Sequence, residues 1–553
     1  MKVLRKAWEL VCRLPRSILF YLATAALIAL VYHQINLVGD FRIDDAYISF
    51  SFSKNLAAGN GPVFSHGVKA EGYSDFLWVV LVALGSWFYR GVDYYPVARV
   101  LALTALVLAS VFTYRMVRRF ASRWAAFFAL GLLLSNTDVI RAMVSGLETV
   151  PYMAALVYGW HTYLREPRYA RRYSLLAFLP AALLRINGFI PMGVLIGFEV
   201  VSSLADRRFS LRKLLLWAGP AMGLYAAYFL WRWGYYGLFF PSTYYAKEFV
   251  AINEPNRGYD QVYVFVRESA VIAILPLMFL PLVRGPKREG WALVIAVAVQ
   301  MAYSVYVGGD WMPFHRFFLP IYPLAAALAA WGAQDLVSSA RSTILPLRVA
   351  LGVALLGLLG LVGTYGYAGS VDTAAEKRKL AEAAHSLQHT RDNLLGVKDL
   401  IPHLIRRPGE RVVTDYAGVF GFYTDAYVID MWGLCTPEIA LKGGILGINS
   451  IYGKECAECY VDLKPDYFHV VVPLTRPPNA FANIDQVIAA MFQGGAIDSY
   501  LHFRRNFAVG RIMDLLSAGR TFWFLERRRP EFPLVPRQPS PRIRIDYPFE
   551  PVR

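Results

Sequence analysis

The stretch "SILFYLATAALIALVYHQINLVGDFRIDDAYISFSFSKNLAAGNGPVF", residues 17 to 64, joins two opposed chemistries. Residues 17–35 contain no Asp, Glu, Lys or Arg. They are long enough to cross a bilayer, which takes ~20 mainly apolar residues, or ~17 at the practical lower limit. A few residues further on stand two adjacent carboxylates, Asp44 and Asp45. Neighbouring acids repel one another, and partial burial beside Ile43, Tyr47, Ile48 and Phe50 adds a second penalty against ionisation. One of the pair is thereby suited to act as a general base. The competing reading is structural: Asp44 caps a helix starting near Ala46, with Asp45 in its first turn. The remainder of the loop, residues 39–75, weighs towards a site. "AAGNGPVF" is a Gly-rich turn, and "KAEGYSDFLW" puts Glu71 ahead of a short apolar run, 76–89. A long structured loop with acids, a Gly turn and an in-plane helix is more than a connector.

The rest of the chain repeats the first contrast. Of 553 residues, 56% are hydrophobic and only 18% charged, against roughly 25% in soluble globular chains. The 13 Trp, 34 Tyr and 35 Phe suit membrane–water interfaces. Apolar runs suited to spanning lie at 17–35, 96–117, 124–138, 147–164, 174–186, 189–203, 214–233, 269–283, 291–307, 317–337 and 344–367. The formal net charge of +17 would suit nucleic acid, but its distribution excludes that class. The basic residues gather in short loops: Arg115, Arg118, Arg119 and Arg123; Arg165, Arg168, Arg171 and Arg172; Arg207, Arg208, Arg212 and Lys213; Arg284, Lys287 and Arg288. That is the positive-inside pattern. If 76–89 lies along the outer interface, every one of these clusters falls inside. The expectation is an all-α polytopic membrane domain of about eleven spans, with the N-terminus cytoplasmic.

The first segment carries Lys2, Arg5, Lys6, Arg13 and Arg16 before its apolar run but lacks a small-residue cleavage site, so it reads as an uncleaved first helix. The outer loops are then 39–75, 136–146, the corner 185–188, 235–268 and 308–316. Beyond residue 368 the composition turns mixed, and 369–553 reads as a small extracytoplasmic α/β domain. Residues 374–405 have helical periodicity, while "RVVTDYAGVFGFYTDAYVIDMWGL" (411–434) and "DYFHVVVPL" (466–474) read as strands with turns. The Pro-rich end after Arg529 reads as an extended tail. Of four cysteines, Cys456 and Cys459 form a C-x-x-C pair that suits a small disulfide or two free thiols. A zinc half-site is disfavoured, because no second Cys/His pair stands at ligand spacing. No cofactor is indicated, and a divalent metal is compatible with the acids without being indicated by them.

The outer loops also supply cations beside apolar spans: Arg141, Arg185, Lys247, His315 and Arg316. Arg185 sits within an apolar stretch, where a charge is costly and commonly functional. Its bland alternative is a snorkelling side chain at a helix end. Lys247 has a similar alternative as an interfacial anchor. Asp310 suits pairing with a cation or orienting a hydroxyl. Glu71 and Glu148 suit substrate positioning or helix capping. An acid suited to take a proton and cations suited to an anionic group thus stand on the same side of the membrane.

"DDAYISFSFSKNLAAGNGPVFSHGVKAEGYSDFLW", "SGLET" (145–149), "LLRINGF" (183–189), "YYGLFFPSTYYAK" (235–247), "GGDWMPFHRFFLP" (308–320) and "YVIDMWGLCTPEIA" (427–440) occur in that order. Together they resemble the GT-C-fold glycosyltransferases related to the actinobacterial terminal β-(1→2)-arabinofuranosyltransferases, across most of the membrane region and the start of the outer domain. The resemblance implies a membrane enzyme that uses a polyprenyl-phosphate sugar on the outer side of the bacterial inner membrane, with arabinofuranose the sugar that the family suggests. The acceptor would be a cell-envelope glycan or a surface protein. It also implies a first-loop Asp as base, matching Asp44 and Asp45, with Asp44 the first choice. Asn187 stands where many relatives have an acid, Ile186 where they have Pro, and "MPFHR" is one residue longer. These departures bear on sugar and acceptor identity. Two other classes compete: a lipid or solute transporter or flippase, which the lack of an internal repeat disfavours, and a non-catalytic envelope assembly protein.

Overall fold

The structure, a computed structural model, describes residues 15–165, 174–246, 257–268, 271–284, 288–307, 315–339, 408–414, 416–442, 444–445, 454–455, 463–473, 507–515, 520–527 and 542–545. Inside hydrocarbon every backbone polar group must find a partner within the chain, so the apolar runs form helices. Among the described residues five are long and apolar enough to cross a membrane: Ser17–Val38, Tyr95–Val117, Ile186–Ala205, Leu211–Tyr236 and Arg288–Tyr306. The bent pair Arg123–Ser135 and Thr137–Val144 makes a sixth if taken as one span. The outward surfaces are lipid-like: Ile18, Leu22 and Ile28 on the first helix, and Leu215, Leu216, Leu224 and Leu230 on Leu211–Tyr236, are all exposed. Inside, Ala98, Ala102, Ala105 and Ala109 make a buried small-residue stripe on Tyr95–Val117, the face that lets membrane helices approach closely. The apolar run 344–367 and the helical segment 374–405 lie outside the described residues.

Three expected elements differ. The run 124–138 is not one straight span. It turns by 60° at Asn136, whose Oδ1 accepts the Asp138 N–H at 2.9 Å and starts a second helix, Thr137–Val144, where an outer loop was expected. The run 174–186 is broken into the 3₁₀ turn Leu176–Phe178 and the short helix Leu179–Leu184, which ends at an extended Arg185 (φ −151°, ψ 143°). There the chain folds back so tightly that a Cβ on Gly188 would lie 2.0 Å from the Ala181 carbonyl oxygen. The loop 235–268 contains a helix, Arg257–Glu268.

The C-terminal part forms a six-stranded mixed sheet in the order β2-β1-β5-β7-β6-β8. Its strands are β1 (Arg411–Thr414), β2 (Tyr427–Asp430), β5 (Tyr467–Pro473), β6 (Phe507–Leu515), β7 (Arg520–Arg527) and β8 (Arg542–Ile545). A separate pair joins β3 (Gly444–Ile445) to β4 (Lys454–Glu455). β1 runs parallel to both β2 and β5, while β7 is antiparallel to β5 and β6. Parallel neighbours need a crossover, and between β1 and β2 it is the helix Ala417–Tyr423 rather than a turn. Within the extended tail expected after Arg529, Arg542–Ile545 forms β8 and pairs in parallel with β6, with Ile512 opposite Arg542.

Candidate active site on the acid loop

The helix bearing the acid pair runs Asp44–Ala57 and begins at Asp44 itself. Ile43 precedes it in an extended conformation and offers no side-chain cap. Asp44 therefore does not cap its own helix, which corrects the structural reading of the sequence. It caps another one. Its Oδ2 accepts the Gly418 N–H and its Oδ1 the Val419 N–H, both at 2.9 Å. These are the second and third residues of Ala417–Tyr423. At the opposite end of that helix, Lys54 Nζ donates to the Phe422 carbonyl at 2.9 Å. An acid at the N-terminus and a cation at the C-terminus both favour the helix dipole.

Two glycines bring the helices together. A Cβ on Gly418 would stand 2.0 Å from the Asp44 carbonyl oxygen and 2.9 Å from the Ile48 nitrogen. One on Gly421 would stand 2.6 Å from Phe64 Cζ. Around Phe422, the rings of Tyr47, Phe50 and Tyr94 lie 5.7, 6.2 and 5.2 Å away.

The turn after β2 closes the other flank. Buried Asp430 accepts the N–H groups of Trp432 and Cys435, each at 2.9 Å. Burial lifts its carboxyl to about 6; these N–H bonds work against that lift and the charge of Asp45 adds to it. Burial also raises the Cys435 thiol, with Asp430, Asp44 and Asp45 adding to the effect, so the sulfur stays protonated and inert. A Cβ on Gly72 would lie 2.3 Å from Cys435 Sγ, so the acid loop and this turn touch directly.

Two buried charge clusters lie deeper. Glu71 is gripped by Arg232, whose Nε donates to its carboxylate oxygens at 3.0 and 2.9 Å and whose Nη2 also pairs with it. Arg232 Nη1 in addition donates to the Phe239 carbonyl at 2.6 Å. Glu71 is thus committed to holding the loop against Leu211–Tyr236. In the second cluster, Ser49 Oγ on the acid helix donates to Asp75 at 2.9 Å. Burial raises Asp75 to about 8, Glu148 adds to the rise, and Arg185 opposes it. Arg185 Nε stands 3.5 Å from Glu148. Among the described residues Arg185 Nη1, Thr149 Oγ1 and the Tyr152 hydroxyl are buried without a hydrogen-bond partner.

Arg185 also lies 4.8 Å over the Phe317 ring, which Arg316 covers at 5.6 Å and which stands two residues after His315, so these three of the expected cations lie close together. His315 Nδ1 is 2.8 Å from Asp138, whose other oxygen takes Arg141 Nη1 at 2.9 Å. The His315 ring lies 5.6 Å from Phe265. Phe265 in turn lines an apolar cavity of about 130 Å³ with Met278, Val297, Met301 and Tyr322. Lys247 and Asp310 fall outside the described residues, as do Cys456 and Cys459. Among the described residues no group of three or more His, Cys, Asp or Glu is placed to hold a metal ion. Sequence reasoning missed Arg232, Asp138, Asp75 and Gly418. The first two are charges within or at the end of an apolar run, a signal that was available.

A family model described as Domain of unknown function (DUF8728) matches residues 391–513. Among curated proteins, the terminal β-(1→2)-arabinofuranosyltransferase of Mycobacterium tuberculosis is 27% identical over 326 residues, 51% of each chain. The chain thus spans about half the length of that relative. ArnT from Cupriavidus metallidurans, solved bound to undecaprenyl phosphate, superposes with a TM-score of 0.55 at 13% identity, covering 92% of this chain and 98% of ArnT. The apo oligosaccharyltransferase of Archaeoglobus fulgidus superposes with a TM-score of 0.50 at 12% identity, covering 93% of this chain and 75% of its own. This is a multi-pass membrane protein with the GT-C fold of the glycosyltransferases, resembling the terminal arabinofuranosyltransferases in sequence.

Proposed function

We propose that this chain is an integral membrane glycosyltransferase that moves a sugar from a polyprenyl-phosphate donor to an envelope glycan or surface-protein acceptor on the outer side of the membrane. The observation that carries the reading is the Asp44 carboxylate, held at both oxygens by backbone N–H groups beside a second acid. The acceptor hydroxyl attacks the anomeric carbon, the bond from that carbon to the phosphate oxygen breaks with its electron pair going to phosphate, and Asp44 takes the hydroxyl proton. Backbone N–H bonds lower the basicity of a carboxylate. They do not disqualify it, because the hydroxyl becomes strongly acidic only as its oxygen bonds the electron-poor sugar carbon. Asp45 tunes its neighbour through charge.

Arg185, Lys247, His315 and Arg316 receive the leaving phosphate in this reading. The unpartnered Nη1 of Arg185 supports it, since a guanidinium suits phosphate oxygens. Glu148, 3.5 Å from Arg185, orients that guanidinium; Glu71 acts through Arg232, and Asp310 orients a hydroxyl. The apolar cavity beside His315 suits a prenyl chain, and ArnT binds such a lipid phosphate. Arabinofuranose is the sugar that the sequence resemblance favours. The chain would lie in the bacterial inner membrane with its N-terminus cytoplasmic and residues 369–553 outside as a separate domain after the membrane domain 1–368. Purified protein given radiolabelled polyprenyl-phosphate arabinofuranose, with hexose analogues in parallel, should transfer label to an envelope-glycan acceptor. Lipid movement without transfer would favour a flippase, and neither activity would favour an assembly protein.

A further inference from the structure

Trp432 has no part in the reading above, yet its mounting is unusually firm. Its backbone N–H is bound 2.9 Å from buried Asp430, and the same carboxylate holds Cys435 three residues on. Gly433 takes φ +76°, and a Cβ there would lie 2.7 Å from the Ala440 nitrogen, so the turn cannot relax inward. Cys435 and Leu434 press against Gly72 of the acid loop, and the Cys435 thiol feels the charges of both Asp44 and Asp45. The turn is therefore fixed beside the acid loop while Trp432 is 40% exposed. Among the described residues that ring stacks on no other ring. A rigid turn that leaves this much of its largest apolar residue accessible gains only part of the stabilisation that full burial would give.

We propose that Trp432 is the platform on which the acceptor sugar lies, a specificity-determining residue whose ligand is the apolar C–H face of a glycan ring. The inference rests on the glycosyltransferase reading. In that reading the donor lipid occupies the membrane side, so the molecule that must approach Asp44 from the outer domain is the acceptor. A sugar ring, furanose or pyranose, exposes C–H groups on its faces beside the hydroxyls that project outward. The electron-rich face of an indole attracts the former and leaves the latter free to reach a base. A flat aromatic orders few rotatable bonds and positions its ligand at small entropic cost.

The test compares wild type, Trp432→Ala and Trp432→Phe with an octyl α-arabinofuranosyl oligosaccharide as acceptor probe. With donor saturating, Trp432→Ala should raise the acceptor KM about 10-fold, with donor KM unchanged and Trp432→Phe recovering most of the loss. An unchanged acceptor KM, or a fall in kcat alone, would overturn the platform. If wild type transfers nothing, the glycosyltransferase reading falls by itself and the platform is judged on binding. Saturation-transfer NMR of the same oligosaccharide on wild type but not on Trp432→Ala would sustain it, whereas equal or absent binding would sink it.

Discussion

Asp44→Asn and Gly418→Ala attack one junction from its two sides, and their ranking separates a base from a docking residue. An Asn side chain offers one acceptor oxygen where Asp44 offers two, so either the Gly418 or the Val419 N–H loses its partner and faces an NH₂. The loss is one charge-assisted bond, ~1.5–3 kcal/mol, plus ~0.3–1 kcal/mol of charge at a helix N-terminus. Gly418→Ala leaves the carboxylate in place but sets a methyl carbon 2.0 Å from the Asp44 carbonyl oxygen. Ordinary C···O contact is ~3.3 Å, so the short helix must retreat by about 1.3 Å. Both 2.9 Å bonds then stretch past hydrogen-bonding range, a docking loss of ~3–6 kcal/mol. Docking therefore suffers more in Gly418→Ala. If Asp44 takes the proton, catalysis suffers more in Asp44→Asn, by ~100-fold or more. Label transfer from the polyprenyl-phosphate donor reads the catalysis, and limited proteolysis at the outer domain reads the docking. Asp44→Asn keeping a tenth or more of wild-type activity, or the two losses rising in step across both variants, would refute the base assignment. Asp45→Asn, which leaves the docking bonds intact, should cost less; collapse there with an active Asp44→Asn would transfer the role to its neighbour.

Three further outcomes are expected. Arg232→Ala strands the Glu71 carboxylate in a buried site and should destabilise the fold by ~3–5 kcal/mol, while Glu71→Gln combined with Arg232→Met recovers most of it in detergent thermal melts; additive losses would contradict the pairing. Asp75 is raised to about 8, chiefly by burial, so the folded protein keeps a proton that the unfolded chain releases above ~4. Stability should consequently fall as pH rises from ~4 to about 8, by at most ~1.4 kcal/mol per unit, and Asp75→Asn should flatten the slope; a melting temperature that climbs over this range would reverse the assignment. Arg185→Ala should weaken donor use by ~10-fold or more, with Arg185→Lys recovering only part because an ammonium cannot clamp two phosphate oxygens; equal activity in wild type and Arg185→Ala would reduce Arg185 to an anchor.

What the sequence disclosed followed its periodicities. Charge-free runs and basic loops announced the membrane bundle, and the short β-branched and aromatic runs in "RVVT", "YVID" and "DYFHVVV" announced β1, β2 and β5. The helix bend at Asn136 was harder, because an apolar run looks continuous whether or not one Asn captures the next amide. The contacts that complete the site leave no period at all. Glu71 and Arg232 meet across 161 residues and Asp44 and Gly418 across 374, and nothing local to either partner marks the match. Gly418 needs its missing side chain only because another helix lies against it, so its requirement is invisible until that neighbour is in place. Asp44 was read as a base or as the cap of its own helix, and the cap it makes is on another helix, since a capping acid is ordinarily adjacent to the helix it caps.

The distance along the chain between Asp44 and its partners also sets an order of assembly. The acid loop leaves the ribosome early, whereas Gly418 and Val419 follow 374 and 375 residues later. Closing the chain over that separation has an entropic cost, growing only slowly with length, which the packed bundle and the finished junction offset together. Until the late segment has been made, Asp44 lacks its Gly418 and Val419 N–H partners and its helix lacks the Phe422 aromatic packing. A half-synthesised bundle is thereby kept from presenting the finished junction, and a late segment of the chain completes an early one.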